Sequence, residues 1–421
     1  MKPPRGKPSK QVRDLQKILE ISRAMAAADD LDNLLGLIVQ RSMELLDSER
    51  ATVFVYDAAR GELVSRVAAG AGEIRFPADR GIAGATVRGG RTIVVPDVYA
   101  DERFNRDVDR QGGFVTRNIL SVPLHDYQGG LVGVLQVLNK RRGAFGDYDV
   151  AMGEALAAHA GVALQRARLI EHYIQKQQME RAMSIARDIQ RGLLPAANPR
   201  ICGYDVAGFS EPADETGGDT YDFMPLQDGR WMLAVADATG HGIGPALVIA
   251  ETRAMLRALS REGPSNVAEV LQAVNRLLTT DLGDSRFVTC FLGLLDPLAN
   301  RFSYASAGHG PILFYRRQAD AFEQVSATAI PLGIMSEADY EAPVRHVFAP
   351  GDFAAITTDG FFEAADPEGQ EFGIDRVIES LRRDRDLPCR QMIANLHEAV
   401  NAFIAGRPPQ DDLTAVIVRR K

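Results

Sequence analysis

Four aspartates in the C-terminal half of the chain, Asp219, Asp237, Asp359 and Asp411, each fall where an apolar run that reads as a strand begins or ends. Taken singly, each reads as a solvated strand-end or turn residue. The intervening sequence nevertheless allows all four to converge on one rim of a sheet. Carboxylates crowded in that way repel, and burying them unpaired is costly. A pair of divalent cations is the usual relief, so the pattern points to metal-assisted hydrolysis.

The elements that must position these acids start with a hairpin. Asp228-Gly229 lies between the apolar runs 221–226 and 231–236, and Asp-Gly is among the best two-residue hairpin turns. With those two residues as the turn, Gln227 opposes Arg230 and Asp219 falls opposite Ala238, one residue from Asp237. That register sets the two carboxylates side by side at the open end of the hairpin, and a one-residue slip would undo it. Asp359 ends the apolar run 353–358 and is followed by Gly360, which permits a sharp exit. Asp411 opens the run 413–418 after the loop 406–410.

At 421 residues the chain is too long for one ordinary core, so two domains and a connector are expected. Helical spacing covers 11–25 and 34–45, and strand patterns follow at 51–56, 62–67, 92–95 and 131–138, an α+β domain ending near Gly161. From 154 to 194 there is neither Pro nor a strand signal, which is roughly 60 Å of continuous helix. Its apolar or small stripe runs Leu156, Ala160, Ala163, Ala167, Ile170, Ile174, breaks phase across 175–178, and resumes at Met179, Met183, Ala186, Gln190 and Leu193. Such a stripe is a dimer seam or a face packed on its own domain, and a phase break can encode two packings of one helix pair. Pro195 ends the helix. Residues 201–421 then alternate strands with helices at 244–259, 266–280 and 391–405, a second α+β domain.

Bulk properties narrow the function classes. The chain is 46% hydrophobic and 25% charged, as a soluble globular protein is, and its net charge of -8 argues against nonspecific nucleic-acid or acidic-membrane binding. Cys202, Cys290 and Cys389 are scattered, which disfavours a zinc site or disulfide framework and suits a reducing cytoplasm. No stretch reads as a signal peptide or as a membrane span, so a soluble, cytoplasmic protein is expected. The basic start (Lys2, Arg5, Lys7, Lys10), with two adjacent prolines, reads as a disordered lead-in.

The local words around the acids are specific. Glu215-Thr216-Gly217-Gly218-Asp219-Thr220-Tyr221-Asp222, Asp237-Ala238-Thr239-Gly240-His241-Gly242, Ser306-Ala307-Gly308-His309-Gly310-Pro311, Pro331-Leu332-Gly333, Thr358-Asp359-Gly360 and Asp411-Asp412-Leu413-Thr414 occur in series. Over about residues 180–421 the chain resembles the SpoIIE/RsbU branch of the PPM (protein phosphatase type 2C-like) serine/threonine phosphatases. The resemblance implies paired antiparallel sheets flanked by helices and two Mn²⁺ or Mg²⁺ ions. Asp237 would bridge them, Asp219 and the Ala238 carbonyl would complete one ligand set, and Asp359 and Asp411 would hold the other ion. His241 and His309, both in Gly-flanked turns, could either protonate a leaving serine oxygen or brace their loops. Where eukaryotic relatives carry a histidine proposed as the acid, this chain has Thr239, and the usual phosphate-binding arginine is not identifiable. Residues 186–195 resemble the lead-in to this phosphatase branch, where a helix pair is thought to move a regulatory element and complete the metal site.

Residues from about 30 to 168 resemble a GAF sensor domain, on Gly81-Ile82-Ala83-Gly84, the run 96–105 and the run 116–124. Asn139-Lys140, Phe145 and Asp149 match most of the signature of cyclic-nucleotide-binding GAF domains, with Val150 where that signature has Glu. This implies either a cyclic nucleotide or a fold used for dimerisation or another small ligand. The absence of Cys in this segment disfavours a linked bilin. The expected organisation is a tail and helix at 1–29, a GAF domain at 30–165 with an antiparallel sheet and helices, a coiled helical linker at 166–195, and a PPM-type α-β-β-α sandwich at 196–421. The expected activity is a GAF-regulated phosphatase, homodimeric through the linker and GAF helices. By the resemblance, its substrate is a phosphorylated STAS-domain anti-sigma-factor antagonist in partner-switching signalling. The rival readings are a catalytically silent scaffold and a cyclic-nucleotide receptor with weak output; a scaffold has no physical need for a repulsive acid cluster.

Overall fold

The computed structural model describes residues 10–65, 74–104, 114–240, 242–261, 266–283, 286–340 and 344–421. The lead-in at 1–9, the last two positions of the strand expected at 62–67, Asn105 and His241 lie outside the described residues. The chain divides into two units, residues 1–178 and 179–421.

The first unit begins with α1 (Lys10–Ala26) and α2 (Leu31–Leu46). Asp30 caps α2 by accepting the Asn33 backbone N–H at 2.7 Å. Strands β1 (Ser48–Asp57), β2 (Glu62–Ser65), β3 (Ile74–Pro77), β4 (Ile93–Val95), β5 (Ile119–His125) and β6 (Leu131–Lys140) form one antiparallel sheet in the order β3-β2-β1-β6-β5-β4. Helix α3 (Gly81–Gly89) precedes β4. Helix α4 (Asp147–Leu193) carries Asp147 and Asp149 in its first turn, where the helix dipole favours them, and runs through the division between units. The period of two in β6 sends Leu135 and Val137 to a core with Leu35, Ile38, Leu156 and Leu164, and Val134 to the other face with Phe54 and Leu63. Gly161 is obligatory here, because a Cβ would collide with the His125 backbone. The stripe along α4 therefore packs first on its own domain: Leu156 and Ala160 are buried, and Ala163 and Ala167 lie against them. Beyond that point Ile170 and Ile174 are 42% and 50% exposed.

The second unit is an α-β-β-α sandwich. One sheet orders β14 (Val344–Val347), β11 (Arg301–Ala307), β10 (Val288–Asp296), β9 (Trp231–Ala238) and β8 (Asp219–Pro225). The other orders β13 (Ala321–Val325), β12 (Ile312–Arg316), β15 (Phe353–Thr357), β16 (Leu413–Arg420) and β7 (Tyr204–Glu211). Alternation along each strand makes three apolar layers. Tyr221, Phe223, Leu233, Val235, Ile356, Val416 and Val418 fill the space between the sheets. On the outer face of the first sheet, α5 (Ile243–Ser260) and α6 (Val267–Asp281) bury Ile249, Leu256, Leu271 and Val274. After the single turn α7 (Gly360–Glu363), helices α8 (Gly373–Arg383) and α9 (Cys389–Phe403) cover the second with Val377, Leu381, Ile393 and Leu396.

Candidate active site

The hairpin that carries two of the acids closes one residue away from the expected register. Leu226 N–H donates to the Arg230 carbonyl at 2.8 Å, so the loop is the three residues Gln227-Asp228-Gly229, with Gly229 at φ 85°. Three-residue hairpins place a residue of positive φ at their last position, and only Gly takes it without strain. The correction has a large consequence. Asp219 pairs with Asp237 directly rather than with Ala238. In the expected register Asp237 would have pointed to the opposite face of the sheet from Asp219. In the actual one, both share a face with Tyr221, Phe223, Leu233 and Val235, which fill the space between the sheets. Gly218 then meets Ala238, whose carbonyl would stand 2.7 Å from a Cβ at 218; glycine keeps that oxygen clear.

The other two acids come from the second sheet. Asp359 follows β15 and begins α7; Asp411 precedes β16, which pairs antiparallel with β15. Asp237 lies within electrostatic reach of Asp219, Asp359 and Asp411, and Asp359 within reach of Asp411. Burial, reinforced by Asp237 and Asp412, pushes the Asp219 carboxyl well above the usual range. Burial together with the charges of Asp359 and Asp411 pushes Asp237 up to about 8. Asp359 is also raised, by burial first and Asp411 second. Among the described residues, no Lys, Arg or His makes an ion pair with any of the four. Asp222, buried on the outer face of the same strand, shows the alternative: Arg253 at 3.0 Å and Arg257 at 2.5 Å hold it. Among the described residues no group of three or more of these acids is gathered tightly enough to hold one ion.

Four residues missing from the expected site organise Asp219 and the segment that leads into it. Thr358 donates its hydroxyl to Asp219 Oδ2 at 2.8 Å. Asp412 accepts the backbone N–H of Ala213 at 2.7 Å and of Asp219 at 3.2 Å. Gln190 of α4 donates to the Gly217 carbonyl at 2.6 Å and accepts the Gly217 N–H at 3.0 Å, while Arg187 donates to the Glu215 carbonyl at 3.0 Å. Strand parity could have exposed the first two, because Thr358 and Asp412 continue the inward series of Ile356 and Val416. Nothing local marks Gln190, which sits in a helical stripe otherwise apolar or small. A cavity of about 490 Å³ reaches Asp219 and Asp412 from the α4 side, with Arg187 and Arg191 on its wall.

His309 braces its loop. Its ring is buried and shares a hydrogen bond with the Thr289 hydroxyl at 3.2 Å, and its carbonyl accepts from Ser306 Oγ at 2.5 Å. The ring lies against the Thr357 backbone without an aligned bond, which leaves Nε2 unpartnered among the described residues. Burial lowers its pKa to about 4, so the imidazole is neutral near pH 7. Thr239 donates to the Phe287 carbonyl at 2.9 Å and ties the Asp237 loop to the lead-in of β10.

In the first unit Lys140, Phe145 and Asp149 of the GAF signature hold one another, and Asn139 binds neighbouring segments. Asn139, at φ 56°, accepts the Arg117 N–H at 2.6 Å and donates to the Val115 carbonyl and to Glu49 Oε2. Lys140 pairs with Asp149 and lies 5.7 Å from the centre of the Phe145 ring. Asp149 also accepts the Gly146 N–H at 3.0 Å. The signature thus latches the end of β6 to the 115–118 segment and to the start of α4.

The sandwich, with acids from both sheets meeting at one rim, defines the PP2C class of phosphatase domain. The SiaA PP2C domain of Pseudomonas aeruginosa shares this fold, with a TM-score of 0.52 at 21% identity, over 59% of this chain and 99% of that one. Residues 227–421 match the Stage II sporulation protein E (SpoIIE) family and residues 30–164 the GAF domain family; the chain is a GAF domain followed by a SpoIIE-type PP2C domain. Among curated relatives, the phosphoserine phosphatase RsbU of Bacillus subtilis is 27% identical over 248 residues, 58% of this chain and 72% of that protein. The probable 3',5'-cyclic phosphodiesterase pde-5 of Caenorhabditis elegans is 30% identical over 165 residues, 36% of this chain and 22% of that protein. No helix among the described residues is long and apolar enough to cross a membrane.

Proposed function

We propose that the protein is a metal-dependent phosphoserine/phosphothreonine protein phosphatase under the control of its GAF domain. The observation that carries this reading is the cross-strand pair Asp219–Asp237, buried on the inner rim beside Asp359 and Asp411 with no ion-pair partner among the described residues. A hard-oxygen donor set of that kind suits two Mn²⁺ or Mg²⁺ ions. Asp237, facing all three other acids, would be shared between the ions; Asp219 with the Ala238 carbonyl, and Asp359 with Asp411, would supply the remaining ligands. When bound, such ions lower the pKa of water and neutralise phosphoryl oxygens. The chain's own residues orient the donors and shape the approach. Gly218 leaves the Ala238 carbonyl uncovered, and the cavity beside Asp219 offers Arg191, free of ion-pair partners among the described residues, to a phosphoryl group.

The likeness to RsbU supports a phosphoprotein substrate, and a phosphorylated STAS-domain antagonist of an anti-sigma factor is the one we assign to it. The likeness to a cyclic phosphodiesterase supports a cyclic nucleotide as the GAF ligand, with the exposed half of the α4 stripe as the seam of a homodimer. Phosphate release from a phosphorylated STAS protein, measured with Mn²⁺ for the wild type and Asp237→Asn, tests the enzyme assignment. Turnover lost in the variant is expected; equal rates would overturn it. Calorimetry of the full chain with cAMP and cGMP tests the sensor assignment, and no heat with either counts against it.

A further inference from the structure

We propose that Thr358 and Asp412 are positioning residues that lock the two halves of the acid cluster to one another across the sandwich, an inference that rests on reading the four aspartates as metal ligands. The halves arise on different sheets: Asp219 and Asp237 on the β8–β9 hairpin, Asp359 and Asp411 at the facing ends of β15 and β16. Nothing in the backbone pairing of either sheet sets their separation. Thr358 and Asp412 do, and each is the immediate chain neighbour of one of the second-sheet acids.

Thr358 is buried and its hydroxyl makes a through-going link. It accepts the Thr414 N–H at 3.1 Å and donates to Asp219 Oδ2 at 2.8 Å. One Asp219 oxygen is thereby engaged and the carboxylate plane held, leaving the other oxygen to the centre. Asp412 is also buried, and it works on the backbone. Its two oxygens gather N–H groups from Ala213 and Asp219, so the segment 213–219 folds round one carboxylate. The fit is close on both sides. A Cβ on Gly217 would strike the Asp412 carboxylate, and one on Gly360 would strike the Asp412 carbonyl. Any displacement of Asp411 or Asp359 relative to its strand is therefore passed to Asp219 through one covalent step and one hydrogen bond. Groups that orient metal ligands in this way typically alter metal affinity or activity by 10–100-fold when removed.

The test is Mn²⁺ calorimetry on the full chain, wild type against Thr358→Val, Thr358→Ser and Asp412→Ala, with Trp231 fluorescence melts in EDTA as the folding control. Thr358→Val keeps shape and loses the donor; it is expected to weaken Mn²⁺ binding by about 10–100-fold while its EDTA melt shows a folded domain. Thr358→Ser restores the hydroxyl and is expected to bind within about threefold of wild type. Asp412→Ala is expected to weaken binding at least as much, because both backbone N–H anchors are lost; Thr358→Val decides the matter should that variant not fold. Wild-type affinity in Thr358→Val would overturn the positioning role and leave the phosphatase reading standing. Absence of Mn²⁺ uptake by the wild type would overturn both.

Discussion

Asp237→Asn should make the metal-free catalytic domain more stable while destroying its activity. Asp237 sits opposite Asp219, and burial with the charges of Asp359 and Asp411 pushes its carboxyl from 3.8 up to about 8. Below pH 4 the group is protonated in both folded and unfolded chains and costs nothing. Between pH 4 and 8 the unfolded chain has released the proton and the metal-free fold still holds it, so stability falls as pH rises, and the loss is complete above the folded pKa. At pH 7 the interval from 3.8 is about three pH units at about 1.4 kcal/mol each, which makes the ceiling on the order of 4 kcal/mol. Asparagine cannot ionise and can still donate a hydrogen bond to Asp219, so it removes the penalty without leaving a hole. Trp231, the chain's single tryptophan, lies on β9 with Asp237 and reports unfolding of this unit alone. Urea melts in EDTA at pH 5, 6, 7 and 8 should show wild-type stability falling across the series, and the variant falling less steeply, because Asp219 and Asp359 still titrate, and lying higher at pH 7. Saturating Mn²⁺ should raise the wild type and leave the variant unmoved. A variant less stable than wild type at pH 7 without metal, or a wild type whose stability climbs from pH 5 to 8, would refute the reasoning.

Three further outcomes are expected. Gln190→Ala removes both bonds between α4 and Gly217; at about 1 kcal/mol per bond, turnover at subsaturating Mn²⁺ should fall by roughly thirtyfold, and an unchanged rate would show that the helix end is passive. Gly217→Ala drives a methyl into the Asp412 carboxylate and should cost roughly 1–3 kcal/mol in Trp231-monitored melts, with a wild-type midpoint as the contrary result. Lys140→Met leaves Asp149 half-buried without its cation and should destabilise the GAF domain by about 2 kcal/mol, seen as an earlier transition in far-ultraviolet thermal melts; a melt indistinguishable from wild type would mean the latch is dispensable.

Much of the architecture is legible in the residues. The apolar runs 353–358 and 413–418, the long Pro-free run before Pro195 and the helical stretch 266–280 each yield the element found. Helix α8 escapes, because Gly373–Arg383 is mostly polar and buries only a narrow edge through Val377, Ser380 and Leu381. The hairpin at 228–229 shows a sharper limit. Asp-Gly favours a two-residue turn, yet packing Tyr221, Phe223, Leu233 and Val235 together between the sheets demands a three-residue loop and turns Asp237 to the inner face. Local turn preference amounts to a fraction of a kcal/mol, whereas burying four large side chains contributes several, so the core overrides the turn.

The same division holds for the whole protein. Residue types and their local words determine that there are two domains, a helical connector and a set of acids suited to divalent cations, because those follow from periodicity and from chemistry carried by each residue alone. Only the tertiary structure decides that Asp219 faces Asp237, that Thr358 and Asp412 tie that pair to the opposite sheet, and that Gln190 grips Gly217 from the helix. The hydrogen bonds among those contacts join positions 27 to 193 residues apart. Their geometry is set by how the two sheets stack on their shared core, which no local pattern encodes.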